Sequence, residues 1–151
     1  MNKINKLRKA AKEVKYEIQM FEDIHNNYFN KANSIKSQFE QNILLESFVI
    51  HAYCLFHFFY QGDNKKRKPS DIIAEDFNIN RQQFRKHRTP KNVLKNIDKK
   101  RNKQIAHLTY NRIYRNSKTK PFKTTAIYHG INKTMWAFFN SLPKEYKNYF
   151  D

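Results

Sequence analysis

Phe48-Val49-Ile50-His51-Ala52-Tyr53-Cys54-Leu55-Phe56-His57-Phe58-Phe59-Tyr60 is the most apolar window of the 151-residue chain. It holds no glycine and no proline, and its apolar residues fall on almost every side of a helix. A helix of that kind must be covered on all sides, which places it at the centre of a bundle. Upstream, Ile35, Phe39 and Ile43 continue the helical spacing, so the helix is predicted over about 35–60, with Ser34 as its N-cap. The whole chain carries only two glycines and four prolines. Tight turns are therefore few, which argues against a sandwich or barrel of short strands. With 13 Phe, 9 Tyr and 1 Trp, a mostly helical fold can build its core from aromatic rings.

Before the central helix, Ile4, Leu7, Ala11, Val14, Ile18 and Phe21, then His25 and Tyr28, alternate by threes and fours. That is the seam of a long helix packed on partners, with lysines and glutamates on its wet side. After it, Gln61-Gly62-Asp63-Asn64 closes the helix and Lys65-Lys66-Arg67-Lys68-Pro69 forms a basic loop. Ser70 is expected to cap a short helix ending at Phe77, and 78–89 to be irregular. Thr89-Pro90 has the pattern of a helix start, a capping threonine with proline at the first helical position. That helix is predicted over about 90–114, with Leu94, Ile97, Ile105 and Leu108 on its inner stripe. A last helix is predicted over 124–141, with Ile127, Ile131, Met135, Phe138, Phe139 and Leu142 inward and Tyr128 and Trp136 covering its edge. The expectation is an all-α, up-and-down bundle of four main helices plus one short one, in a single domain over 1–151. Basic connections interrupt it at about 62–89 and 112–123. Phe48, Leu55, Phe59, Ile97, Ile105 and Phe138 should lie in the core.

Charge is unevenly placed. Residues 1–61 hold 8 Lys/Arg against 6 Asp/Glu, residues 62–123 hold 19 against 5, and residues 124–151 hold 3 against 2. The middle of the chain therefore carries a net +14 of the total +17. A field this positive favours polyanions, nucleic acid first, with an acidic protein or an anionic membrane behind it. Lys65, Lys66, Arg67, Lys68, Arg81, Arg85, Lys86, Arg88, Lys100 and Lys103 are the candidate phosphate contacts.

The one cysteine, Cys54, can form neither an internal disulfide nor a cysteine-rich zinc site, and no His-x-x-x-His pair stands out. No metal and no cofactor is expected. His51 and His57 are six apart, which fits core or dimer-surface histidines with satisfied nitrogens better than a ligand pair. The window 48–60 is short for a bilayer span and no secretory signal precedes the first helix, so a cytoplasmic protein without a membrane partner is expected.

Within the fourth predicted helix lies Arg101-Asn102-Lys103-Gln104-Ile105-Ala106-His107. An arginine can hold and neutralise a phosphate with a fixed fork of donors, and a histidine can move a proton near neutral pH. A surface arginine beside a locally packed histidine would give the same spacing. The segment resembles the signature of the HEPN superfamily: an arginine, a polar residue after it, and a histidine four to six positions on. The resemblance implies a small up-and-down helical bundle and a metal-independent endoribonuclease that works as a homodimer. It implies that Arg101 holds the phosphate, that His107 acts as general base or acid for attack by the 2′-OH, and that Asn102 orients one of them. Six helical residues span about 9 Å and roughly 120° of rotation. Arg101 and His107 of one chain therefore diverge, and two copies related by symmetry could bring a pair together.

The resemblance also covers inactive scaffolds and toxins restrained by an antitoxin or other regulatory protein. The endoribonuclease reading makes the protein a toxin or phage-defence effector; the alternative is a non-catalytic RNA- or protein-binding module, or an accessory or inhibitor protein in phage–host conflict. Arg101 falls on the apolar stripe between Ile97 and Ile105. There it is either at an interface or bonded to an acid such as Glu46.

Overall fold

The computed structural model describes residues 2–26, 37–63, 67–97 and 124–151. The fold is an all-α bundle, and no strand occurs among the described residues. Among the described residues three long helices carry it: α1 (Lys3–Ile24), α2 (Gln38–Tyr60) and, after two short helices α3 (Arg81–His87) and α4 (Lys91–Leu94), α5 (Thr124–Ser141). A single-turn α6 (Lys144–Lys147) follows.

α1 begins where the Asn2 side chain accepts from the Asn5 amide at 2.9 Å. Its inward stripe is Leu7, Ala10, Ala11, Val14, Phe21 and Ile24. Ile4 is 52% exposed, so the seam starts one turn later than its spacing suggests. The helix ends in a wider π turn at His25-Asn26. α2 is capped by Ser37 rather than Ser34. The Ser37 hydroxyl accepts from the Glu40 amide at 3.1 Å, and the Glu40 carboxylate accepts in return from the Ser37 amide at 2.9 Å. That reciprocal box satisfies two donors at once, which a serine without a glutamate three residues on cannot do.

As expected of a central helix, α2 buries Phe48, Val49, Ala52, Leu55, Phe56, Phe58, Phe59 and Tyr60. It touches α1 through stacked Phe21 and Phe48 rings at 4.9 Å. Glu17 and His51 Nδ1 meet at 2.7 Å across the same seam. At the far end Phe138 of α5, fully buried, sits among Phe58, Phe59, Phe77, Phe84 and Phe150 at centroid distances of 5.3, 5.8, 6.1, 6.4 and 5.6 Å. Of the expected core, Phe48, Leu55, Phe59, Ile97 and Phe138 are buried, and Ile105 lies outside the described residues. Among the described residues one helical stretch, Phe39–Asp63, is long and apolar enough to cross a membrane, longer than the 48–60 window suggests. Half of its most apolar window is buried inside the bundle.

The connection after α2 is more ordered than predicted. A 3-10 turn (Gln61–Asp63) ends α2 and a second one (Ala74–Phe77) stands where a Ser70-capped helix was expected. Its start is held by Asp76, which accepts from the Ile73 amide at 3.0 Å and from Arg67 at 2.8 Å. Asn78 then turns the chain with φ 56°, a left-handed conformation that asparagine tolerates. The stretch expected to be irregular contains α3, because the Asn80 side chain caps it by accepting from the Gln83 amide at 3.1 Å. Thr89 does not cap α4. Its hydroxyl donates instead to Gly130 O at 2.8 Å, and α4 starts behind Pro90 with no side-chain cap. A β-carbon on Gly130 would lie 2.7 Å from Leu94 Cδ2, so glycine is what lets the 89–94 segment lie this close to α5. Of the helix expected over 90–114, the part beyond residue 97 lies outside the described residues. The last long helix matches its expected bounds, Thr124–Ser141.

Candidate nucleic-acid interface

Arg101, Asn102 and His107 lie outside the described residues, as do Lys65, Lys66, Lys100 and Lys103. The six remaining candidates divide by what holds them. Arg88 is built into the core edge, its side chain only 11% exposed. Its guanidinium donates to Phe59 O at 3.1 Å and to Asp63 at 2.6 Å, and it lies over the Tyr60 and Phe84 rings at 4.6 and 5.2 Å. Arg85 meets the other oxygen of Asp63 at 3.0 Å. One carboxylate is thus gripped by two arginines, and the grip fastens α3 to the end of α2. Arg67 is pinned to Asp76 and to Asp71 O, both at 2.8 Å, beside a cavity of about 430 Å³ that Lys3, Lys6, Glu75 and Tyr146 also line. Arg81, Lys86 and Lys68 stand exposed.

Arg81 and Lys86 are not isolated. No Asp or Glu occurs from Phe77 to Ile97, nor from Thr124 to Lys144. These two acid-free stretches meet in space. The Asn80 amide donates to Ser141 O at 3.0 Å, the Phe84 and Phe138 rings touch, and His87 and Trp136 form a T-shaped pair with centroids 6.3 Å apart. These two stretches therefore carry Arg81, Lys86, His87, Lys91, Lys95 and Lys133, all exposed to solvent, while Arg85 and Arg88 hold Asp63. A polyanion approaching these two stretches meets their cations and no carboxylate of their own to repel it.

No family model matches the chain, and neither a curated protein nor a solved structure matches it. The site must be read from its own residues.

Two features of that reading were missed in the sequence. The first is Trp136, which is 61% exposed on the outer stripe of α5 with His129, Lys133 and Asn140. The signal was present: with Ile127, Ile131, Met135 and Phe138 facing inward, helical spacing turns 129, 133, 136 and 140 outward. The second is a polar knot around His25. This histidine is 3% exposed, and its ring lies flat against Tyr128 with centroids 3.5 Å apart. Its Nδ1 lies 3.4 Å from Asn26 Oδ1, which also accepts from the Tyr128 hydroxyl at 3.2 Å. Nε2 is buried without a hydrogen-bond partner. Burial, with His129 adding to it, holds the imidazole below its ordinary pKa against the opposing pull of Asn26. A neutral, partly unsatisfied imidazole can accept a proton, but among the described residues no arginine lies in this knot. No group of three or more His, Cys, Asp or Glu that could hold a metal ion is found among the described residues.

Proposed function

We propose that the protein binds RNA and cuts it without a metal, as a homodimer, with Arg101 holding the phosphate and His107 moving the proton. The observation that carries the binding half is the acid-free, cation-rich α3–α5 surface. The chain carries the same basic character on through 98–123, where the HEPN-like Arg-x5-His segment lies. The cutting half rests on the resemblance of residues 101–107. Self-association is supported by Phe39, Ile43 and Ile50, all exposed at helical spacing along one side of α2. A second copy covering that stripe would bury it, and an antitoxin-like regulatory protein is the competing occupant.

The test is cleavage of mixed RNA with EDTA present. A proton-transferring histidine contributes about 10²–10⁴-fold in rate, so His107→Ala should lose activity on that scale. Arg101→Lys should be nearly as damaging, since it keeps the charge and loses the fork. Substrates lacking the 2′-OH should resist. Equal activity in all variants would place the chemistry elsewhere. RNA binding with no cleavage in any of them would leave a non-catalytic RNA-binding module.

A further inference from the structure

We propose that single-stranded RNA runs across the α3–α5 face with one unpaired base stacked on Trp136. This rests on the RNA-binding half of the function above and specifies where, and in which form, RNA is taken. A tryptophan is among the side chains with most to gain from burial, yet this one keeps 61% of its surface in water while fully buried Phe138 lies two positions away on the same helix. It is also held in place. The T-shaped contact with His87 restrains its ring, and Phe84, one turn before His87, anchors that helix against Phe138. A restrained, exposed indole is a stacking platform. Each base has a π face, so such a platform accepts any base that is not already stacked on both sides.

The surroundings decide what kind of ligand fits. Lys133 lies three positions before Trp136 on the exposed side of α5, and Lys86 directly precedes His87. Within the two stretches that form this face there is no carboxylate. An apolar protein partner would be served by the ring alone and would gain nothing from the lysines. A base-free polyanion would be served by the lysines and would gain nothing from the ring. A nucleic-acid strand uses both at once. In a duplex each base is already covered by its neighbours, so the ring selects unpaired segments.

Trp136 is the only tryptophan of the chain, so intrinsic tryptophan fluorescence reports on this position alone. The experiment titrates the protein at low salt with 2′-O-methyl oligo(A) and oligo(U), which resist attack through the 2′-OH, with a duplex of the same backbone, and with heparin. Affinities come from anisotropy of labelled ligand, and the tryptophan signal is recorded in parallel. Single strands should quench the emission, and Trp136→Ala should weaken them about 5- to 150-fold, the range expected for one stacked base. Trp136→Phe should recover most of that loss. Heparin should bind wild type and Trp136→Ala alike. Lys133→Gln should lower the slope of log affinity against log salt by about 0.7, one phosphate on a single strand. Single-strand binding with unchanged emission and no loss in Trp136→Ala would overturn the platform and leave RNA binding standing. Equal dependence of duplex and single strand on Trp136 would overturn the preference for unpaired bases. Wild type that binds none of the oligonucleotides would remove the RNA reading itself, and the platform with it.

Discussion

Thr134 is fully buried in α5, and a valine would fill the same volume. Its hydroxyl nevertheless ties three elements: it accepts from the Thr89 amide at 3.2 Å, donates to Gly130 O at 2.9 Å and lies 3.1 Å from the Tyr60 hydroxyl, which donates to Thr89 O. Thr134→Val leaves the Thr89 amide buried without an acceptor, and should cost about 1–3 kcal/mol in urea denaturation with an unchanged denaturant slope. This knot also explains why Thr89 does not cap α4. A threonine before a proline prefers to cap, but a buried carbonyl at Gly130 offered its hydroxyl a partner that no local pattern reveals. Titration behaves likewise. The folded-state pKa of His25 is held below its ordinary value of about 6.5, so the unfolded chain takes up a proton there first. Stability is therefore full above pH 6.5, falls as the pH drops toward the folded-state pKa, and levels off below it. Melting followed from pH 7.5 to 5 should show this fall, and His25→Phe, which keeps a ring against Tyr128, should flatten it. A slope unchanged in that variant would assign the loss to other groups. Glu22 is distinguishable, since burial raises its pKa and its contribution has the opposite sign nearer pH 4.5.

α3 has seven residues, far too few to hold a helix in water by themselves. It exists because Asn80 caps it, Phe84 is buried against Phe59 and Phe138, and Asp63 binds Arg85 and Arg88. Asn80→Ala should cost roughly 1 kcal/mol, a typical cap loss. Because the element is short, amide exchange should quicken across 84–88 while α1 and α2 keep their protection. Uniform acceleration along the chain would mean that α3 unfolds only with the whole bundle. The long helices were legible because each repeats an apolar stripe over several turns; α5 was placed to the residue by Ile127, Ile131, Met135 and Phe138. α3 offers a single buried residue, which no periodicity can detect, and its basic surface resembles that of a loop. The same limit applies to the candidate phosphate contacts. Arg85 and Arg88 look like phosphate contacts in a charge count, and only the fold shows that Asp63 holds them. Trp136 looks like a covering residue until the inward stripe of α5 is seen to point away from it.

Across the whole molecule, aromatic packing and charge pull in opposite directions. The rings around Phe138 join α2, α3, α5 and the C-terminal residues into one core, while a net +17 pushes the surface apart. Among the described residues, the contact between the acid-free stretches 77–97 and 124–144 brings together cations that lie farther apart in the unfolded chain. A flexible polyanion should therefore bind the native state more tightly than the unfolded one, and ligand that prefers the native state stabilises it. Heparin at a hundredfold excess over its dissociation constant would contribute about 2.7 kcal/mol if it bound the native state alone. The melting temperature should accordingly rise with heparin at low ionic strength. Added salt should shrink that rise as the Debye length falls to about 8 Å near 0.15 M, although salt without heparin should itself stabilise by screening the repulsion. Replacing Lys86, Lys91, Lys95 and Lys133 together by glutamine should raise the heparin-free melting temperature and reduce the heparin response. A melting temperature that heparin leaves unchanged, or lowers, would show that the positive charge is no more concentrated in the fold than in the open chain, and the α3–α5 face would lose its standing as a polyanion site.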